Sequence, residues 1–574
     1  MASYRPALTS VVAVCRAQAE ERGANVVALT HVLSLVSACL TPQHWTFLRA
    51  CECGHMTLLR RLAAHEPHHL DPHFKAFQFS KGLMFAVAND DLEMATWLCT
   101  EYCPRAGFVS KAMEKAAEGG NLRIMQWLVE QCDDRIFWTE AYMDIAAENG
   151  HLHVLEWLHV HPKSGGCTKR AICHAARNGH LQVVQWLHDH FPQHPREALR
   201  YAIHGGSVDI ASFLHKHGYE LHAANAVDDA AWSGNLEMVK WVHDIGAAGC
   251  TRYAMDFAAA VGNLGMLQWL HESYSEGCSS EAMDKAAGNG HLEVVEWLHE
   301  HYPNARSNRA ICAAAKKGHF EIVQWLHDNR YGHHDSVLEA AASSGDLELV
   351  MWLDENRPEP PSWFAIAKAA EKGHLPIMKW LHTNSDGDYE DALDRAATNG
   401  QLEAVKWLHE NRHEGCTTNA MDGAARNNHL HVVEWLHEHR TEGCTTEAMD
   451  RAGSCEMMRW LHENRSEGCT TKAMDNAVAR GDLDTVMFLH ANRSEGCSDT
   501  VSNSVGYGGY LELFMWLYEH RREHIDVAMI RAKFDTPQYK FVDMHWVEVG
   551  WVTDTITTFR DRSFLIALFD KLGL

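Results

Sequence analysis

Residues Asn289–His301 read "NGHLEVVEWLHEH", and the phrase returns as "NGHLHVLEWLHVH" from Asn149 and "NNHLHVVEWLHEH" from Asn427. Aligned on the aromatic of its "WL" pair, it fills sixteen slots: Trp97, Trp127, Trp157, Trp186, Phe213, Trp241, Trp269, Trp297, Trp325, Trp352, Trp380, Trp407, Trp435, Trp460, Phe488 and Trp516. The mean separation is about 28 residues, and a fixed period in this range marks stacked supersecondary units rather than one compact core. "ACECGHMTLLRRL" from Ala50 fits the same template with Arg61 in the aromatic slot, so a seventeenth, degenerate unit opens the array.

The stretch from Cys416 to Cys444 gives the template. Thr417 and Thr418 are N-cap residues before "NAMDGAARNN", a run of small helix formers that predicts a short first helix. "HLHVVEWLHEHR" then places Leu430, Val433 and Leu436 at helical spacing, a second short helix with one apolar stripe. Gly443 closes the unit and is suited to a left-handed helix end. Helices under about twelve residues are marginal alone in water, so stacking on neighbours must stabilise each pair.

The string "AMDKAAGNGHLEVVEWLHE" from Ala282 resembles the ankyrin repeat, "AMDKAA" standing where that family has T-P-L-H-x-A-A and "GHLEVVEWL" where it has G-H-x-x-V-V-x-x-L-L. The resemblance covers roughly Thr46 to Arg531 and draws its specificity from recurrence in register. It implies an all-α, ankyrin-like helix–turn–helix solenoid. The family period is about 33 residues, so the missing residues imply that tight loops replace its β-hairpins. Asp284, Asp422 and Asp450 stand where the family has histidine, which implies that contacts between repeats are rebuilt by carboxylates accepting from backbone N–H groups.

Composition narrows the functional classes. Across 574 residues, 76 acidic against 51 basic side chains give a formal charge of −25, a field that repels nucleic-acid phosphates and anionic membranes. The most apolar early stretch, Val26–Leu40, contains Thr30, His31, Ser34 and Ser37 and falls short of the roughly twenty apolar residues of a membrane span. Ala7–Cys15 is interrupted by Thr9 and Ser10 and makes a poor signal peptide, so a cytoplasmic or nuclear location is expected.

Three residue types invite a chemical reading. Rows of tryptophan can stack on bases or sugars, but most here share one slot of the second helix, which packing between successive helices explains. Twelve units carry histidine directly after the "WL" pair, among them His159, His271, His299 and His437. Equivalent positions in stacked helices lie about 8–10 Å apart, too far for one zinc to take ligands at about 2 Å, and histidines satisfied near helix C-termini are expected. "HENRH", His409–His413, matches H-E-x-x-H but lies where a second helix ends, and Ser466 and Ser494 fill the slot of His413 elsewhere. Seven of 17 cysteines share a Gly-Cys-Thr/Ser loop slot: Cys167, Cys250, Cys278, Cys416, Cys444, Cys469 and Cys497. Their spacing exceeds disulfide reach, so free, small, buried thiols in a reducing compartment are expected. Cys51 with Cys53, and Cys99 with Cys103, lack a second pair that would complete a zinc site. There is no G-x-x-x-x-G-K-[ST] phosphate loop and no nucleophile elbow.

Residues 1–45 lack the repeat and are expected to form a helical cap; "HVLSLVSACLTPQHWTFLRAC" from His31 faintly resembles an F-box. The array occupies 46–531, and 532–574 abandon the period as a terminal cap. Trp435 to Trp460 is a short spacing in which "AMDRAGSCEMMRW" has lost three residues between the helices, predicting a local change in stacking. "NRPEPPSW", with Pro358, Pro360 and Pro361, is a stiff connector, and Pro376 fits a first helical turn.

These features predict a non-catalytic scaffold without a cofactor or metal, monomeric, binding a protein or peptide and neither nucleic acid nor membrane. The alternative is a ubiquitin-ligase substrate adaptor acting through the N-terminal segment. In the family resembled, the residue before the alanine pair and those just after it line the concave face. Here they include Lys285, Lys316, Lys317, Lys368, Lys372, Arg395, Arg426, Arg451 and Arg480, a basic stripe suited to an acidic, extended partner segment. A second row, Arg330, Arg357, Arg412, Arg440, Arg465, Arg493 and Arg521, ends the second helices, where compensation of the helix dipole would explain it.

Overall fold

The computed structural model describes residues 46–530, apart from 67–69, 104–106, 192–194, 196, 222–224, 248, 332–335, 357–363, 385–390, 412–414, 500 and 503–510. The expected caps at 1–45 and 532–574 and the connector prolines lie outside the described residues. Every regular element among the described residues is helical, and no strand stands in the loops where the resemblance implied lost hairpins.

The unit built from Thr417 shows why the sequence folds this way. The Thr417 hydroxyl accepts from the Asn419 N–H at 3.1 Å and starts the helix Thr418–Arg426, whose Ala424 and Ala425 are fully buried. Asn428, at φ 63°, turns the chain in the left-handed conformation that Gly290, at φ 88°, adopts in its own unit. The second helix, Leu430–His439, buries Val432, Val433 and Leu436. Each such side chain contributes about 1.5–3 kcal/mol of hydrophobic stabilisation. Alanine on the first helix lets its neighbours come close. A Cβ at Gly205 would lie 1.9 Å from the Arg177 carbonyl oxygen, a measure of how tightly the end of Ala198–His204 meets that of Lys169–Arg177.

The predicted carboxylate links join the units. Asp422 accepts from the Thr445 N–H at 2.8 Å and from its hydroxyl at 2.7 Å, and Asp450 from the Thr470 N–H at 2.6 Å and hydroxyl at 2.8 Å. Asp228, Asp256 and Asp394 hold Thr251, Ser279 and Thr417 in the same way. Asp284 departs from the expected link: it has the Ser307 side chain but no backbone N–H among the described residues, and its Oδ1 is buried without a hydrogen-bond partner. Thr251, Ser279, Thr417 and Thr445 then cap their own helices, Thr445 by accepting from the Glu447 N–H. A carboxylate in one unit therefore sits at the positive end of the next unit's first helix.

The short unit departs from its expected form. Its deletion is taken up by the first helix, which runs only Thr446–Asp450, before Ser454 caps Cys455–Asn464. Gly453 then donates its N–H to Ala425 O at 3.0 Å, an approach that the lost helical turn permits. Pro376 falls in the first turn of Leu375–Asn384, as predicted.

The described residues divide into two units by contact, one drawn from 46–146, 153–167 and 474–530, the other from 147–152 and 168–473. In the second, successive first helices pack one on the next, from Ser280–Gly288 through Ala310–Lys317, Val337–Ser344, Phe364–Lys372 and Ala392–Thr398 to Thr418–Arg426. The first contains a helix longer than the repeat predicts, the 17-residue Pro72–Ala88, capped by Asp71 and opened by proline. It buries Phe77, Phe79, Leu83, Ala86 and Val87, and it packs on Phe47–Glu52 and Ser110–Glu118 and also on Leu483–Asn492 and Leu511–His520. A stack with contacts only between sequence neighbours therefore describes the second unit but not the first.

Candidate partner-binding surface

Histidine and tryptophan belong to one device that links second helices. The histidine after "WL" meets the aromatic of the next unit edge to face: His243 with Trp269 at 5.3 Å, His299 with Trp325 at 5.2 Å, His437 with Trp460 at 5.3 Å. Its Nδ1 shares a hydrogen bond with a side chain that follows the next unit's second helix. That partner is a tyrosine hydroxyl in part of the array: Tyr274 with His243 at 2.9 Å, Tyr302 with His271 at 2.6 Å, Tyr331 with His299 at 2.9 Å. Towards the C-terminus it is an arginine: Arg440 to His409 at 3.3 Å, Arg465 to His437 at 3.4 Å, Arg521 to His490 at 2.9 Å. His409, the first histidine of "HENRH", is thus engaged in this link, and His413 lies outside the described residues.

The arginine row corrects the dipole reading. Arg440, Arg465 and Arg493 each bind the glutamate two residues on, Glu442, Glu467 and Glu495. Burial opposes ionisation of Glu467, yet the Arg465 bonds and nearby backbone N–H groups outweigh it and hold the carboxyl down to about 2. These arginines lock loops and bridge units. Arg330 is in the left-handed conformation at φ 57°, and Arg357 and Arg412 lie outside the described residues.

The loop cysteines form no disulfide; Cys416, Cys444 and Cys497 are buried and Cys167, Cys250, Cys278 and Cys469 half-buried. Burial pushes the Cys444 thiol up to about 12 and that of Cys416 up to about 11. Among the described residues no group of three or more His, Cys, Asp or Glu side chains is placed to hold a metal ion. No described helix is long and apolar enough to cross a membrane.

The nine basic residues of the predicted stripe lie on or just after first helices, but they are not equivalent electrostatically. Lys285 pairs with Glu281 at 3.0 Å and Arg451 with Glu447 at 2.7 Å. Glu371 gathers Lys368 at 2.9 Å, Lys372 at 3.4 Å and Arg395, from the following first helix, at 3.8 Å. Burial would raise the Glu371 carboxyl, but the two lysines prevail and lower it. Arg480 is exposed near Asp482. Lys316, Lys317 and Arg426 are exposed at the last turns of Ala310–Lys317 and Thr418–Arg426, with no ion-pair partner among the described residues. Sequence reasoning chose the row by position alone and did not separate paired cations from unpaired ones. The glutamates that could have done so, Glu281 and Glu447, stand one helical turn before their partners.

Capped helix pairs, joined by carboxylate links between first helices and by histidine links between second helices, define a helical-repeat protein. The family model "Ankyrin repeats (3 copies)" matches residues 143–225, 172–252, 254–337 and 338–422, and this part of the chain is built of ankyrin repeats. Among solved structures, the pentatricopeptide repeat protein PPR10 in complex with an 18-nt psaJ RNA element is 12% identical, with 92% of this chain and 97% of that chain covered and a TM-score of 0.28. PPR10 from maize is 11% identical, with 88% and 98% covered and a TM-score of 0.23. At these TM-scores the likeness carries no argument about this chain. No curated protein matches it.

Proposed function

We propose that the chain is a non-catalytic scaffold that binds a partner protein along the row of first-helix ends, and that the partner offers an acidic, extended segment. The observation that carries this reading is the set Lys316, Lys317 and Arg426: three exposed cations without ion-pair partners among the described residues, in a chain of formal charge −25. The net field of the chain repels an acidic segment at long range, so local charges of this kind must provide both attraction and orientation. Lys368, Lys372 and Arg395 around Glu371 form a second, partly neutralised patch in the same row.

The test is proximity labelling in the native cell with the full chain and with Lys316→Glu/Lys317→Glu/Arg426→Glu. The variant should lose about tenfold or more of its labelled partner proteins, and the salt sensitivity of the remaining association should flatten. Arg440, Arg465, Arg493 and Arg521 are unsuitable as a charge-reversal control because they hold the fold together. Lys240 and Lys406, each paired with a glutamate three residues earlier on a second helix, serve instead. An unchanged set of labelled proteins in the triple variant, or equal losses from Lys240→Glu/Lys406→Glu, removes the row as the binding surface.

A further inference from the structure

In the histidine links the slot two residues after the aromatic meets the slot five or six residues after the next aromatic. Between the units of Trp97 and Trp127 both slots hold cysteine, Cys99 and Cys132. Their Sγ atoms are 3.5 Å apart. The Arg135 Nη2 donates to Cys132 Sγ at 2.8 Å while its Nη1 donates to the Cys103 carbonyl at 2.9 Å, and the guanidinium lies 4.9 Å from the centre of the Phe79 ring. Cys99 sits in a π-helical turn, Leu98–Tyr102, a local irregularity often retained at functional positions. Neither thiol has room for a large reagent, since Cys99 is 5% exposed and Cys132 fully buried.

We propose that Cys99 and Cys132 are a reversible dithiol–disulfide site, oxidised by small hydroperoxides, with Cys132 the attacking sulfur and Cys99 the resolving one. Arg135 fixes these roles, because a guanidinium donating to Cys132 stabilises the thiolate there. The hydrogen bond with Cys99 and the Arg135 charge hold Cys132 down to about 7 against the effect of burial, while the same contact and burial push Cys99 up. The Cys132 thiolate attacks the distal peroxide oxygen, the O–O bond breaks, and the leaving alkoxide takes a proton to become an alcohol, or water from hydrogen peroxide. The resulting sulfenic acid is then attacked by Cys99, which gives up its proton. The S–O bond breaks and hydroxide leaves with that proton as water. In sum, two thiols and one hydroperoxide give a disulfide, an alcohol and water, each sulfur losing one electron to the O–O bond. The buried loop cysteines, pushed up to about 11 or 12, lack a comparable thiolate at neutral pH.

The test uses the full-length chain, reduced and then treated with hydrogen peroxide at pH 7, alkylated, digested and mapped without reduction. The Cys99–Cys132 peptide should be the main cross-link, form at least about tenfold faster than oxidation at Cys416, Cys444 or Cys497, and disappear on treatment with dithiothreitol. In Cys99→Ser a sulfenic-acid trap should label Cys132, at a rate rising as pH passes through about 7, whereas Cys132→Ser should leave Cys99 unlabelled. A cross-link of Cys132 to Cys103, oxidation of the loop cysteines at a comparable rate, or trapping at Cys99 in Cys132→Ser would overturn the assignment. Both variants are checked by circular dichroism, and because neither thiol has room for the trap in the folded chain, the trap is added with denaturant once the peroxide is quenched, so that oxidation and not access is read.

Discussion

Asp256 has no exposed surface, and both of its oxygens are used by the next unit, one by the Ser279 N–H at 2.8 Å and one by its hydroxyl at 2.6 Å. Asp256→Ala leaves that N–H without its acceptor at a cost of about 1–3 kcal/mol. Hydrogen exchange at residues 279–281 should accelerate accordingly, and unchanged protection would mean that the link is idle. Two acids in these links respond to pH with opposite signs. Burial pushes Asp256 up, so its contribution is fully present below the unfolded value, near about 3.9, and fades as pH rises through the folded one. Glu467, held down to about 2, contributes above the unfolded glutamate value and loses that contribution as pH falls. The stability gap between wild type and Glu467→Gln should therefore narrow from about pH 5 towards about pH 2, and melting curves across that range that keep a constant gap would contradict it. The aspartate links were legible in the sequence because "AMD" and the following threonine recur together. The histidine partners were not, because they lie in the next unit and change chemical type from tyrosine to arginine along the chain.

At the scale of helices, the histidine link explains a pattern that packing alone leaves open. A tryptophan slot needs only an apolar surface, but a histidine between an aromatic edge and a donor must be held at a fixed height and angle. The Tyr302 hydroxyl and His271 Nδ1 share a hydrogen bond at 2.6 Å while His271 stands edge-on to Trp297 at 5.4 Å. A double-mutant cycle with Tyr302→Phe and His271→Ala should return a coupling of about 0.5–1.5 kcal/mol; additive losses would reduce the contact to coincidence. Element boundaries were legible where caps are explicit, as at Thr417, Thr445 and Pro376. They were not legible at Pro72–Ala88, whose apolar residues surround the helix and so do not follow a one-sided repeat stripe. The shortened Thr446–Asp450 was misplaced for a related reason: a deletion counted along the chain does not reveal which helix gives up the turn.

At the scale of the whole molecule the two units call for different thermodynamics. The segment Gly262–Gly415 lies inside the second unit, where first helices pack neighbour on neighbour, and should fold alone with a cooperative thermal transition. The first unit cannot be divided in that way, because Pro72–Ala88 packs on helices more than four hundred residues further along. The contact is polar as well as apolar: the Ser80 hydroxyl donates to buried Glu512, His73 meets Glu519, and Lys81 lies in the field of Asp482, Glu512 and Asp484. Burial pushes Glu512 up, so this carboxyl depends on its donors for a place inside the fold. A chain ending at Thr471 removes Leu483–Asn492 and Leu511–His520 and uncovers one side of Pro72–Ala88. Amides of 72–88 should then exchange much faster, while those of 310–317 in the second unit keep their protection, a selective loss that a purely nearest-neighbour stack would not show. Glu512→Ala in the full chain should reproduce the loss in weaker form by leaving Ser80 without its acceptor. Unaltered protection across 72–88 in the shortened chain would show that the first unit, like the second, stands on its sequence neighbours alone.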